Sequence, residues 1–177
     1  WEGRMVSAVS YGPGEEAEFI LNGTSLGRVP YERLTAKMDI SYTPGILEAV
    51  SYREGKEISR GSLVTAGEAV RILAEPEQDT LKGDGQDICY IRIMIADENG
   101  VRLPAEEREI QAELTGPAVP AALGSGNPCT KDQIGQMSCH TFHGTAQLII
   151  KASETGKIGI AVRSGGLQTG YAAVHAV

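Results

Sequence analysis

The sequence predicts an all-β protein arranged as two tandem β-sandwich domains, and three observations carry that reading. Short runs of strand-forming residues recur along the whole chain, Gly, Pro and Asn punctuate them at strand-to-strand spacing, and amphipathic helical periodicity is almost absent. The first strand is Met5–Tyr11, ended by the turn at Gly12, Pro13 and Gly14. Residues 16–22 form the second, with Ala17, Phe19 and Leu21 alternating onto one face, and Asn22-Gly23 closes a tight turn. Further strands are expected over residues 26–29, 37–42, 47–53 and 57–65, with Pro44-Gly45 as one turn and Glu54, Gly55 and Lys56 as a hairpin.

Around Ala66, Gly67 and Glu68 one set of hairpins gives way to another without a long linker, so the expected domains are 1–66 and 67–177. The second set opens with residues 70–74 and crosses the polar turn at 82–85. It then enters Ile88–Ala96, whose alternation puts Cys89, Ile91, Ile93 and Ile95 on one face. Asp97 to Gly100 is a turn, and strands follow over 109–115, 146–152, 158–162 and 171–177. About seven strands in about 110 residues fit an immunoglobulin-like sandwich.

Composition narrows the function classes. Hydrophobic residues make up 41% of the 177 and charged residues 22%, the profile of a chain that folds and buries a core. A net charge of -7, with Lys and Arg scattered singly, excludes the basic footprint of a nucleic-acid or anionic-lipid binder. No apolar run approaches the roughly 18 residues of a membrane span. The sequence opens on Trp1 with no apolar signal region behind it, so it reads as a fragment. Cys89, Cys129 and Cys139 form no CxxC pair, and their odd number argues against a complete disulfide framework. The compartment stays open.

Two segments carry a family resemblance. Residues 17–27, AEFILNGTSLG, resemble the ELFLNGKSLG hairpin of family 2 glycoside hydrolases. Residues 42–56, YTPGILEAVSYREGK, resemble the Y-x-PG-x-LEAVAYRDGK segment of the same β-galactosidase-like domain, in the right order and distance. The second half resembles those enzymes' terminal immunoglobulin-like domain through residues 82–87, 97–100, 124–128 and 142–146. Trp1, Glu2 and Gly3 are similar to the W-x-G leading out of the catalytic barrel. The resemblance implies two immunoglobulin-like accessory domains behind a barrel, with that barrel and the enzyme's other domains as partners. It implies no catalytic, cofactor or metal residue in this chain.

The residues themselves agree on chemistry. A family 2 enzyme works through two carboxylates on a barrel of roughly 250 residues, which this chain lacks the length and the βα alternation to form. Glu15, Glu16, Glu106 and Glu107 are read as solvated turn and strand carboxylates. Cys129, Cys139, His140 and His143 fall within 15 residues but lack the close pairing of zinc ligands, and adjacent Cys139 and His140 point to opposite faces if extended. Asp84, Asp87, Asp97, Glu98 and Asn99 offer hard oxygens without the spacing of an EF-hand loop. Gly124, Ser125 and Gly126 have no helix behind them to hold a phosphate. Asn22-Gly23-Thr24 matches a glycosylation sequon that turn geometry already explains, and His175 is an ordinary strand residue. No Ser or Cys has an evident His and carboxylate partner.

A carbohydrate-binding module remains as a second reading, because such modules stack aromatic rings on sugars. Strand patterning leaves Trp1, Tyr11, Tyr31 and Tyr171 exposed, without clustering in sequence. A third reading is a spacer of a bacterial surface adhesin.

Overall fold

The computed structural model describes residues 2–133 and 135–177, which hold fifteen strands and no helix. They form two compact units, Trp1–Thr65 and Ala66–Val177. Trp1 itself lies outside the described residues.

The first unit contains β1 (Met5–Tyr11), β2 (Glu16–Leu21), β3 (Thr24–Pro30), β4 (Thr35–Ser41), β5 (Ile46–Arg53) and β6 (Lys56–Val64). One sheet runs β3-β2-β5-β6, and the other is the two-stranded ribbon β1-β4. Alternation sorts the side chains, since residues two apart share a face. Ala17 and Phe19 of β2 meet Ala8 of β1 and Ala36 and Ile40 of β4 in one small buried cluster. Asn22 and Gly23 turn the β2-β3 hairpin with φ of 50° and 80°, the two left-handed residues of a type I′ turn.

That turn is joined to the turn before β5. Asn22 donates through Nδ2 to the Pro44 carbonyl at 3.0 Å, and its Oδ1 accepts the Ile46 amide at 2.8 Å. Gly45, at φ 136°, lies against the same amide, and a Cβ there would collide with it. The two most recognisable sequence segments are therefore one structural clamp. Tyr31 corrects a sequence expectation: it is half-buried, not exposed, because its hydroxyl links Ser10 of β1 at 2.7 Å to Ser51 of β5 at 2.6 Å.

The second unit contains β7 (Arg71–Pro76), β8 (Thr80–Leu81), β9 (Ile88–Ala96), β10 (Glu109–Thr115), β11 (Ala118–Gly124), β12 (Ser138–His140), β13 (Thr145–Ala152), β14 (Gly156–Arg163) and β15 (Gly170–Ala176). Its sheets run β12-β10-β14-β15-β8 and β11-β13-β9-β7. Cys89, Ile91, Ile93 and Ile95 of β9 point inward with Leu148 and Ile150 of β13, and they meet Ile110, Ile158, Ile160, Val162 and Val174 from the opposite sheet. This is a complete sandwich. Strand patterning had supplied β7, β9, β10, β13, β14 and β15, while β8, β11 and β12 emerge only in the structure.

The two cores differ in weight. Phe19 is the one aromatic side chain in the first unit's small cluster and is 1% exposed. Removing such a ring costs about 3–5 kcal/mol, comparable with the whole stability of a domain this small. Phe19→Ala is expected to erase the dispersed amide resonances of residues 2–65 in a heteronuclear NMR spectrum while those of 66–177 persist.

Candidate functional site

The groups that could carry chemistry are positioned by turns, and most are already engaged with backbone. Asp97 follows the last residue of β9 and is 3% exposed. Its Oδ2 accepts the Gly67 amide at 2.8 Å, and its Oδ1 accepts the amides of Val101 at 2.8 Å and Asn99 at 2.9 Å. Arg71 donates to the Asp97 carbonyl at 3.1 Å and to that of Glu98 at 2.7 Å. The Gly67 amide, followed by those of Val101 and Asn99, holds the Asp97 carboxyl below its ordinary range against the opposing effect of burial.

Asp84 accepts the amides of Gln86 at 2.9 Å and Asp87 at 3.1 Å, which lower its pKa, and Asp87 accepts the amide of Lys82 at 2.8 Å. Asp84, Asp87 and Asp97, three of the carboxylates weighed for calcium, thus face backbone N–H donors. Their arrangement is that of caps rather than of a cation shell.

The cysteine and histidine set is dispersed. Cys139 points inward from β12 and burial pushes its thiol up to about 11, whereas His140 points outward. Cys129 is exposed, and all three cysteines are free. His140 pairs through Nδ1 with Asp132 at 2.9 Å, while its amide donates to the other Asp132 oxygen at 2.7 Å. That pairing raises the His140 pKa and lowers that of Asp132. His143 sits at φ 50° in the turn before Gly144, where a Cβ would collide with the Leu103 carbonyl. Among the described residues no three His, Cys, Asp or Glu side chains converge to hold a metal ion.

Three glutamates of the sequence reading lie beside a backbone amide or an arginine. Glu15 accepts the Glu54 amide at 2.9 Å, Glu16 lies 3.7 Å from Arg28, and Glu106 pairs with Arg108 at 2.6 Å. Tyr52 is not available for stacking on a sugar, because the Arg28 guanidinium covers its ring at 3.8 Å and its hydroxyl donates to Glu18 at 2.9 Å.

A concave feature lies in the second unit, on the sheet that contains β10 and β14. Glu109, Ile110 and Gln111 at the start of β10 face Arg163, Ser164 and Gly165 at the end of β14, around a shallow cleft of about 410 Å³. The pairing Gln111↔Arg163 brings these distant segments together, and Ser164 Oγ donates to the Glu109 carbonyl at 2.7 Å. Arg163 also pairs with Glu113. Two pairs further along, Ala161 lies beside Glu113 on β10 and Tyr171 on β15, so the three share the outward face. Tyr171 is 73% exposed, and its neighbours Gly159, Ala161 and Ala173 are small. An open ring next to planar hydrogen-bonding side chains can stack on a sugar face and bind its hydroxyls. Sequence reading singled out Tyr171 but not the cleft, whose two sides lie some fifty residues apart along the chain.

Comparison with known proteins bears on both units. Residues 72–172 match the family model described as Glycoside hydrolase family 2 C-terminal domain 5, and residues 3–59 match one described as Domain of unknown function (DUF4982). The β-galactosidase BoGH2A of Bacteroides ovatus is 25% identical over 161 residues, which are 89% of this chain and 19% of that protein. A solved glycosyl hydrolase family 2 member from Bacteroides cellulosilyticus superimposes with a TM-score of 0.94 at 26% identity, covering 100% of this chain and 23% of that one. A β-glycosidase from Bacteroides vulgatus shares the fold at a TM-score of 0.93 and 24% identity, covering 98% of this chain and 23% of that one. The chain therefore spans about a fifth of the length of the relatives it matches.

Asp97 provides a direct test of the capping role. Its folded carboxyl titrates below the ordinary 3.8, so its stabilisation is present above the unfolded value and is lost as pH falls through the folded one. Asp97→Asn removes the charge and sets an amide donor against backbone donors. Urea unfolding of the second unit should show a lower midpoint than the unsubstituted chain at pH 7 and a smaller further loss on going to pH 3. An unchanged acid limb would remove this role.

Proposed function

The chain belongs to the glycoside hydrolase family 2 C-terminal domain 5 family, and from that premise we propose that it serves as the non-catalytic accessory region of a β-galactosidase-like enzyme. In this reading the first unit is the immunoglobulin-like domain that follows the catalytic barrel, and the second is the terminal immunoglobulin-like domain. Both pack against the rest of the same polypeptide and shape the enzyme without touching the scissile bond. The observation that carries the reading is the asymmetry of coverage: the match takes in 89% of this chain but 19% of the β-galactosidase from Bacteroides ovatus. A barrel of roughly 250 residues fits in the remainder of such a protein and not in this chain. The engagement of the turn carboxylates by backbone amides supports the same assignment. A surface-adhesin spacer is not carried forward, because the family model that matches the second unit describes a glycoside hydrolase domain.

The expected assay result is clear-cut. The 177-residue chain should leave aryl β-galactosides unhydrolysed over a time in which the full-length parent enzyme turns them over completely. Hydrolysis that copurifies with the isolated chain would overturn the assignment.

A second reading, direct contact with glycan, is favoured by Tyr171 beside the cleft between β10 and β14. Calorimetric titration with galactotetraose and with cellotetraose tests it. Saturable binding that Tyr171→Ala weakens at least tenfold would support it, and flat titrations with both sugars would remove it.

A further inference from the structure

The first unit is an unequal sandwich, with four strands facing two. We propose that the open half of its larger sheet is closed by an extended segment of the parent polypeptide ahead of Trp1, paired along the free edge of β1. The proposal rests on the accessory reading and adds where this unit docks.

Register shows what is uncovered. Phe19, in the buried cluster, is paired with Ala49, and Ala49 with Gly61, so Gly61 of β6 belongs to the core-facing side of the sheet. Leu47, packed against the cluster, is paired with Leu63, which belongs to the same side. Yet Leu63 is 73% exposed, every residue of β6 is exposed, and a Cβ built on Gly61 would meet nothing within 4 Å. An inward-facing row exposed in this way lacks its opposite layer.

The layer that is present stops one strand short. β4 packs near β3 and β2. Through Tyr31, Ser10 of β1 is tied to Ser51 of β5, which sets β1 over β5. A strand added about 4.8 Å beyond β1 falls over β6. Among the described residues β1 pairs only with β4, so its other edge offers a row of amides and carbonyls to a further strand. Glu2 and Gly3 form a turn just before β1, with Gly3 at φ 77°, and such a reversal brings a preceding segment back antiparallel to β1.

The occupant follows from the same geometry and from coverage. The matched relatives carry about four-fifths of their length outside the region shared with this chain. A segment joined covalently at that turn acts at an effective concentration in the millimolar range, so a modest face suffices to hold it. Its inward side chains would be apolar, to lie on Leu63 and fill the space above Gly61. The thin core of Ala8, Ala17, Phe19, Ala36 and Ile40 would gain the partner it lacks.

Hydrogen exchange read by mass spectrometry, on the 177-residue chain and on the full-length parent, tests this. The β1 amides that point away from β4 should exchange at least tenfold more slowly in the parent, and Leu63→Asp should lower the parent's melting temperature while leaving that of the 177-residue chain unchanged. Should the Asp variant of the parent fail to fold, Leu63→Ser gives the same comparison and the exchange rates stand alone. Equal β1 exchange in both proteins, or equal effects of the Leu63 substitutions in both, would overturn the proposal. A reading frame with no barrel ahead of this chain would remove the accessory role itself. An active parent with fast-exchanging β1 amides would remove only the docked strand.

Discussion

The second unit depends on one strand. β9 pairs with β13 over residues 88–94 and with β7 over residues 91–96, and its inward residues Cys89, Ile91, Ile93 and Ile95 are completely buried. Because the side-chain period of a strand is two, slipping β9 by one residue would carry Tyr90, Arg92 and Met94 into the interior and turn all four buried side chains outward. Everything opposite must match that row, and the Ile158, Ile160 and Val162 row of β14 does so across the sandwich. The outer face of β14 is then set as well: Gly159, Ala161 and Arg163 point outward because their neighbours point in. The open sheet face and the cleft beside it follow from core register.

Where local pattern and tertiary role coincide, the sequence was sufficient. Met5–Tyr11, Ile88–Ala96 and Glu109–Thr115 could be bounded to the residue because each alternates and ends at a turn signal. β11 was invisible for the opposite reason: it contains Pro120, has a bulge between Pro120 and Ala122, and lies at a sheet edge where burial is partial. β8 has two residues and β12 three, too few for any period to show. Tyr31 was read as exposed from strand patterning, and its partial burial goes with hydroxyl bonds to residues about twenty positions away on either side. The cleft is non-local in the same sense, since only the β10-β14 pairing unites its two sides. Resemblance to the glycoside hydrolases was legible because the turn segments around Asn22 and Gly45 are in fixed order and spacing.

Those turn segments are informative about fold and silent about chemistry, and the structure shows why. Asn22 satisfies the backbone of the neighbouring turn with both ends of its amide. Asp97 does the same for three amides, and Gly144 occupies a space that admits no side chain. Each is a position where one residue type fits the backbone, which is a sufficient reason for a motif without any substrate. Asn22 illustrates the point most sharply, because the sequon it begins places its Nδ2 on the Pro44 carbonyl, the atom a glycan would need.

The contrast between the two units then acquires a physical meaning. The second unit closes its own core from two full sheets, so its outer faces are free to serve as surface. The first unit has the same strand chemistry but leaves β6 with no residue buried. The core-facing row of β6 holds Gly61 and Leu63, Val64 points to the other face, and Leu63 is the apolar residue that a covered row would use. A strand whose composition suits a covered position, at the edge of a sheet whose opposite layer is one strand short, marks a fold that is completed by chain from outside the unit. The exposed Leu63 of β6 is accordingly better understood as the interior of a larger assembly than as the surface of a small one.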